Sequence, residues 1–225
     1  MNDMQIKQIS YNVAIKFLMK RHYAGRKPQI SKGFGWFRND ELVAVCTFGK
    51  PGSPTLCFGV AGQENSLSVY ELNRLCRIDD LKEPLSKFVS ACLRILKEKN
   101  WIIVSYADTG MNHHGYIYQA CNFIYTGCTK KRTDRYVSGN KHSRHNKSGV
   151  QSDYRQIRNS KHRYIYFCAK TKSQRKKWLK ALNYTIKEYP KGDNKDYELG
   201  FVQQPEIYKS KTFQSPEKSN NLFDY

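Results

Sequence analysis

What this sequence lacks narrows it first. No run of 18 or more apolar residues occurs in its 225 positions, so no segment reads as a membrane-spanning helix. The first ten residues, MNDMQIKQIS, lack the basic-then-apolar order of an export signal. Seven cysteines, at 46, 57, 76, 92, 121, 128 and 168, are odd in number and show no CxxC spacing. They disfavour a zinc ribbon or a disulfide framework. Contexts such as VAVCTF and YFCAK suit buried, reduced thiols instead. No Ser-His-Asp order, HExxH, P-loop or DxD pair is present, which leaves hydrolase and kinase chemistry without support. No GxGxxG follows a strand-like segment, so a doubly wound dinucleotide fold is not expected. There is no internal repeat. Acids are scarce: 19 Asp and Glu stand against 39 Lys and Arg, a formal net charge of +20. Such a balance asks for a polyanion, nucleic acid before an acidic membrane surface.

The positive charge is concentrated. Between Lys130 and Arg163 eleven Lys/Arg face only Asp134 and Asp153, and between Lys170 and Lys191 eight more face only Glu188. Residues 1–129 are close to neutral by comparison. The stretch from 129 to 163 interleaves its cations with Tyr136, Tyr154, His142 and His145, a mixture suited to phosphate contacts and base stacking on a loop that orders when bound. The candidate nucleic-acid contacts are Lys130, Lys131, Arg132, Arg135, Tyr136, Lys141, Arg144, Arg155, Arg158, Lys161 and Arg163. A solvated insertion is the plainer reading of the same residues. Residues 191–225 mix Pro, Ser, Asn, Lys and acids without periodicity and read as a flexible tail. The expected organisation is one catalytic domain over 1–190, with 130–162 as a basic insertion.

Periodicity supplies the elements. ISYNVAIKFLMKR at 9–21 has helical spacing. GFGWF and LVAVCTF read as a hairpin turning at Asn39–Asp40. Residues 68–79 alternate as a strand. Pro84 opens an amphipathic helix whose stripe is Leu85, Phe88, Val89, Cys92, Leu93 and Leu96. WIIVSYAD at 101–108 is a buried strand, HHGYIYQAC a short helix, and NFIYTGCTK and RYIYFCA further strands. SQRKKWLKALNY is a basic helix with Ser173 as its expected N-cap. The sum is a mixed α/β chain built on one twisted sheet.

Several blocks fall in a distinctive order: HYAGRKP at 22–28, GWF and ELVAVCTFGKP at 35–51, YELNRLC at 70–76, SKFVSACLRILK at 86–97, and SYAD with HHGYIYQACNFIYTG at 105–127. Together they resemble the phage Mom DNA-modification family within the GNAT acyltransferase superfamily. That resemblance implies a GNAT-like, mostly antiparallel sheet flanked by helices. It also implies an enzyme that converts adenine to N6-(carbamoylmethyl)adenine in double-stranded DNA, shielding phage DNA from restriction in the cytoplasm of the infected bacterial host. Alternatives are a GNAT-fold acyltransferase acting on tRNA or aminoacyl-tRNA, and a non-catalytic nucleic-acid-binding relative. A tRNA partner and a homodimer are further expectations.

GNAT enzymes cradle the coenzyme A pyrophosphate with a Q/RxxGxG/A loop. Here IDDLKEPLSKF at 78–88 has no glycine, and Asp79, Asp80 and Glu83 repel a pyrophosphate. The donor therefore stays open between acetyl-CoA and an aminoacyl-tRNA such as glycyl-tRNA. The site residues the resemblance implies are Asp108, His22, Tyr23, Arg74, Glu71 and Tyr118 for catalysis, and Ser86, Ser105 and His114 for the donor. Asp108 ends a buried strand and is read as the acid that handles the adenine amine, or else as the cap of the next helix. His22 with Asp108 also suits an iron. Of the tandem imidazoles, His114 is favoured over His113 to face the site because it directly precedes Gly115.

Overall fold

The computed structural model describes residues 4–137, 154–193, 201, 203–204 and 206–209. The chain divides into two units, Met1–Lys130 with Asn159–Gln203, and Lys131–Arg158 with Gln204–Tyr225.

The larger unit is built on seven strands: β1 (Met4–Ile9), β2 (Lys32–Arg38), β3 (Glu41–Gly49), β4 (Val69–Arg77), β5 (Trp101–Asp108), β6 (Ile124–Cys128) and β9 (Lys161–Cys168). They lie in the order β1-β2-β3-β4-β5-β9-β6. Every neighbouring pair is antiparallel except β4 and β5, which run parallel. This is the mixed, mostly antiparallel sheet flanked by helices that the sequence predicts. The β2–β3 turn is the expected Asn39–Asp40, with φ of 48° and 62°. Asn and Asp tolerate that left-handed pair better than most residues. β1 is an unanticipated edge strand whose polar residues alternate outward.

A parallel β4–β5 pair needs a crossover, and α3 (Leu85–Leu96) provides it. Its stripe of Phe88, Val89, Cys92, Leu93 and Leu96 is buried against Trp36, Phe48, Ile103 and Tyr164. Burying each large side chain contributes ~1.5–3 kcal/mol before entropy is charged against it. The opposite sheet face is covered by α2 (Pro54–Ala61) and α5 (Lys172–Lys180), through Cys57, Val60, Ala61 and Trp178 on Val69, Ile102, Val104, Ile165 and Phe167. α1 (Tyr11–Arg21) packs Ala14 and Leu18 on Val45 and Cys76. Two local readings change. α2 had no amphipathic stripe to reveal it. The cap of α5 is Thr171, not Ser173, because the extended Thr171 accepts the Gln174 amide at 3.1 Å and Ser173 already lies inside the helix.

The second unit carries β7 (Arg132–Arg135), β8 (Tyr154–Arg158) and β10 (Glu206–Lys209), antiparallel in the order β10-β8-β7. The expectation of a single sheet is thus corrected to two. These strands are too charged for alternation to show in the sequence. No helix among the described residues is long and apolar enough to cross a membrane.

Candidate active site

The parallel ladder between β4 and β5 stops early. Its last pair is Leu72 with Ser105, where the Ser105 hydroxyl donates to the Leu72 carbonyl at 3.0 Å. Beyond it β4 follows β3 alone and carries a bulge: Thr47 faces Arg74 while Phe48 faces Leu72, leaving Asn73 extra. The bulge is held on both sides. Thr47 Oγ1 donates to Asn73 Oδ1 at 2.6 Å, and Asn73 Nδ2 donates to the Gln29 carbonyl at 2.7 Å. One extra residue turns the following side chains to the other face. Glu71 and Arg74 therefore share a face, opposite Gly49 and Thr47, which are two apart on β3. Gly49 has to be glycine, since a Cβ there would meet the Gln29 carbonyl oxygen at 1.9 Å.

Into this parting of the strands the chain delivers seven of the expected residues. His22 caps the end of α1, and its Nδ1 accepts the Ala24 amide at 3.1 Å. Tyr23 stacks on His22 with centroids 4.6 Å apart. Arg74 donates to the carbonyls of Asn73 at 2.6 Å and Arg26 at 3.3 Å, which ties β4 to the loop carrying His22. Asp108, 6% exposed at the end of β5, accepts the Gly110 amide at 2.9 Å on Oδ1 and the Lys161 ammonium at 3.2 Å on Oδ2. It is both the cap of the next 3₁₀ turn and a member of the site, so the two readings of Asp108 are compatible. Tyr118, from α4 (Tyr116–Ala120), is hydrogen-bonded to Ser105.

Electrostatics show how close these groups are. Burial, followed by the charges of Arg74, His113 and Lys161, pushes the His22 pKa down to about 3, so the imidazole is neutral at any physiological pH. Burial, then Asp108, raises Tyr23 to about 12, with Arg74 opposing. Glu71 is raised by burial, against the pull of Arg74 and Lys161. Burial raises Tyr118 further still, opposed by its bond to Ser105. The cluster is therefore a partly desolvated site with one carboxylate already ion-paired and one, Glu71, that makes no ion pair among the described residues.

Other expected residues lie elsewhere. Ser86 gives its carbonyl to Cys121 Sγ at 3.4 Å and, with Lys87, Ser90, Arg94 and Ala120, lines an open depression of about 380 Å³ on α3. The ring of His114 lies 5.6 Å from that of His162, while His113 meets Tyr23 edge-on at 5.8 Å. The imidazole facing the cluster is thus His113, because Asn112 and Gly115, with φ of 52° and 80°, reverse the chain between the two. Gly115 has no room for a Cβ, which would meet the Tyr164 ring at 2.4 Å.

Of the proposed nucleic-acid contacts, Lys130, Lys131, Arg132 and Arg135 are exposed and Tyr136 is half-buried. Lys141 and Arg144 lie outside the described residues. Arg155 folds back on Thr133, Arg158 pairs with Asp134 at 2.9 Å, and Arg163 donates to Thr126 while stacking on Tyr184 at 3.3 Å. Lys161, grouped with the basic arm by sequence, belongs to the Asp108 site. Nothing in its local sequence signals that, since the pairing of Asp108 with Lys161 is set by the β5–β9 register.

An iron held by His22 and Asp108 does not fit these residues. With Nδ1 accepting the Ala24 amide, the neutral ring carries its proton on Nε2 and has no lone pair there to give. Asp108 is already occupied by Lys161 and Gly110. Among the described residues no group of three or more His, Cys, Asp or Glu is placed to hold a metal.

Residues 3–191 match the model of the Mom protein family. The curated relative "Methylcarbamoylase mom" of Escherichia phage Mu is 27% identical over 131 residues, covering 56% of this chain and 54% of the relative. The chain thus spans about half the length of the curated relative it matches. Among solved structures, an N-acetyltransferase from Staphylococcus aureus Mu50 aligns at 13% identity over 74% of this chain and 98% of its own, with a TM-score of 0.45. A polyamine N-acetyltransferase from Drosophila melanogaster aligns at 12% identity over 73% and 100%, with a TM-score of 0.44.

Proposed function

The chain belongs to the Mom protein family, and from that premise we propose that it is a transferase that modifies adenine in phage double-stranded DNA, forming N6-(carbamoylmethyl)adenine and so protecting the DNA from host restriction in the infected cell. The observation that carries the reading is the convergence of Glu71, Arg74, Asp108, His22, Tyr23 and Tyr118 at the parting of β4 and β5, in a chain with this family's sequence. The relative's name, methylcarbamoylase, denotes transfer of a group with the same atoms as carbamoylmethyl.

Adenine N6 is a poor nucleophile and must lose a proton as it bonds to carbon. Glu71 is the base this geometry favours. Burial raises its pKa, which makes it a stronger proton acceptor than an ordinary exposed carboxylate. Asp108 and Lys161 hold each other and set the polarity of the pocket wall. Arg74, fixed by two main-chain carbonyls, would bind a carbonyl or phosphate oxygen of the donor. The His22 Nε2 proton and the aromatic faces of Tyr23 and Tyr118 are suited to an extruded base, since a base inside the duplex cannot reach such a pocket.

Atom balance favours one donor. A carbamoylmethyl group contains two carbons, one nitrogen and one oxygen, as a glycyl group does, whereas an acetyl group lacks the nitrogen. Glycyl-tRNA therefore supplies all the atoms, with the tRNA 3′-hydroxyl as leaving group. Transfer through the carbonyl carbon breaks the ester to the tRNA and gives the glycyl amide of N6. The carbamoylmethyl isomer then requires the amino nitrogen to bond to the carbonyl carbon and N6 to bond to the methylene, as the N6–carbonyl and methylene–amino bonds break, so the two isomers are separated by fragmentation and not by mass. The test is tandem mass spectrometry of nucleosides from cells expressing the protein. The expected result is a deoxyadenosine heavier by that unit. A modified ribonucleoside in its place would move the activity to RNA, and no new nucleoside would leave a binding protein.

A further inference from the structure

Outside the Asp108 cluster the same unit carries a second group of cations, on α5. This nine-residue helix carries Lys172, Arg175, Lys176, Lys177 and Lys180 and no acid. All five are exposed, and none has an ion pair or side-chain hydrogen bond among the described residues. Trp178 is buried, which fixes the helix rotation. At 100° per residue Lys172, Lys176 and Lys180 then form one row on the side away from Trp178. Each step in that row is an i,i+4 pair of like charges, which destabilises a helix. Lys172 and Arg175 also occupy the positive end of the helix dipole. Among the described residues no carboxylate pairs with these charges, and the helix bears their repulsion.

We propose that the Lys172–Lys176–Lys180 row is a phosphate-tracking surface for duplex DNA that leads to the Asp108 site. The row spans ~12 Å at 1.5 Å per residue, the length over which one strand presents three to four phosphates at ~3.4 Å each. Its course supports the direction. β9 runs from Lys161, opposite Asp108, to Cys168, opposite Trp101, and α5 follows it in sequence. The chain after α5 returns to the site end: Tyr184 lies over Arg163, and the Lys187 amide bonds to the Tyr125 carbonyl at 2.9 Å. A duplex on this face would thus meet the α5 lysines first and Lys161 last.

The inference rests on DNA being the substrate, but its test reads binding and not modification. A K172Q/K176Q/K180Q variant is compared with wild type on a 30-base-pair duplex over a series of KCl concentrations. The slope of log K against log salt is expected to fall by roughly two to three, at ~0.9 per lost phosphate contact, with an unchanged or raised melting temperature. An unchanged slope overturns the proposal. Should the variant fold poorly, acetylation of lysines in the wild-type protein with and without duplex decides the matter. Protection of Lys172, Lys176 and Lys180 by duplex supports it, and equal labelling, or protection by tRNA alone, overturns it. Absence of a modified deoxyadenosine would undo the proposed reaction while leaving these binding results standing.

Discussion

The cations beside Asp108 and the cations on α5 belong to one unit yet are treated oppositely by the fold. Lys161 is 3.2 Å from a carboxylate, Arg74 donates to two main-chain carbonyls, and Arg163 is bonded to Thr126 and stacked on Tyr184. Each is fixed by something the chain provides. The α5 lysines have no such partner among the described residues. Charge that the fold neutralises is held still and can orient chemistry. Charge left open adds repulsion to the protein, and a polyanion from outside relieves it. A formal charge of +20 is thus two quantities, one spent internally and one presented to a partner.

The largest expected effect breaks the first half of that contrast. Glu71→Gln removes a site carboxyl that makes no ion pair among the described residues, and formation of the modified nucleoside should fall by ~10²–10⁴-fold, the usual worth of a general base. Stability should not fall. Burial raises the Glu71 pKa, so the fold disfavours its charge, and a neutral isostere is tolerated at or above neutral pH. A variant that unfolds and loses activity in proportion would assign Glu71 to structure alone.

Lys161→Met comes next. It leaves Asp108, with its side chain 8% exposed, without its cation. A fully buried pair broken this way costs ~3–5 kcal/mol. Lys161 is 45% exposed, so solvent screens the pair and ~1–2 kcal/mol is expected by urea unfolding. The double variant with Asp108→Asn should recover part of that loss, whereas additive losses would show that the two groups are not coupled.

His22 gives a pH signature of similar size. Its pKa drops from 6.5 to about 3 on folding, so between those values the unfolded chain binds a proton that the fold refuses. The contribution is fully present above pH 6.5 and is lost as pH falls toward 3, at ~1.4 kcal/mol per pH unit. Unfolding free energies at pH 7, 5.5 and 4.5 should show a shallower decline for His22→Gln than for wild type. Parallel curves would mean that the ring titrates as it does in the unfolded chain.

Much of this frame is legible in the sequence, and for physical reasons. α3 and β5 have one-sided or fully apolar patterns that nothing but a core explains, and Asn39–Asp40 is a turn by its own backbone preference. β1, β7, β8 and β10 are hidden because polar strands at an edge, or in a second small sheet, carry too little hydrophobic alternation. α2 is apolar all round and lacks a stripe. At the site, YELNRL and SYAD place Glu71, Arg74, Ser105 and Asp108 through family resemblance. Their union depends on a bulge at Asn73 that no residue announces. His113 and Lys161 are missed for a related reason: which of two neighbouring side chains faces the site is decided by left-handed turns at Asn112 and Gly115 and by the β5–β9 register.

The smallest prediction sharpens the contrast most. Lys176→Glu converts two repulsive i,i+4 pairs, with Lys172 and Lys180, into attractive ones. Each pair contributes ~0.2–0.5 kcal/mol in either direction and two pairs change sign, so the DNA-free protein should gain ~0.8–2 kcal/mol and melt a few degrees higher. The same change puts a carboxylate in the middle of the row and should weaken duplex binding by about tenfold or more at low salt. A substitution that makes the protein more stable and less able to hold DNA is what separates charge presented to a partner from charge the fold requires. If melting temperature and affinity instead fall together, Lys176 is serving the fold, and the distinction between the two sets of cations does not hold.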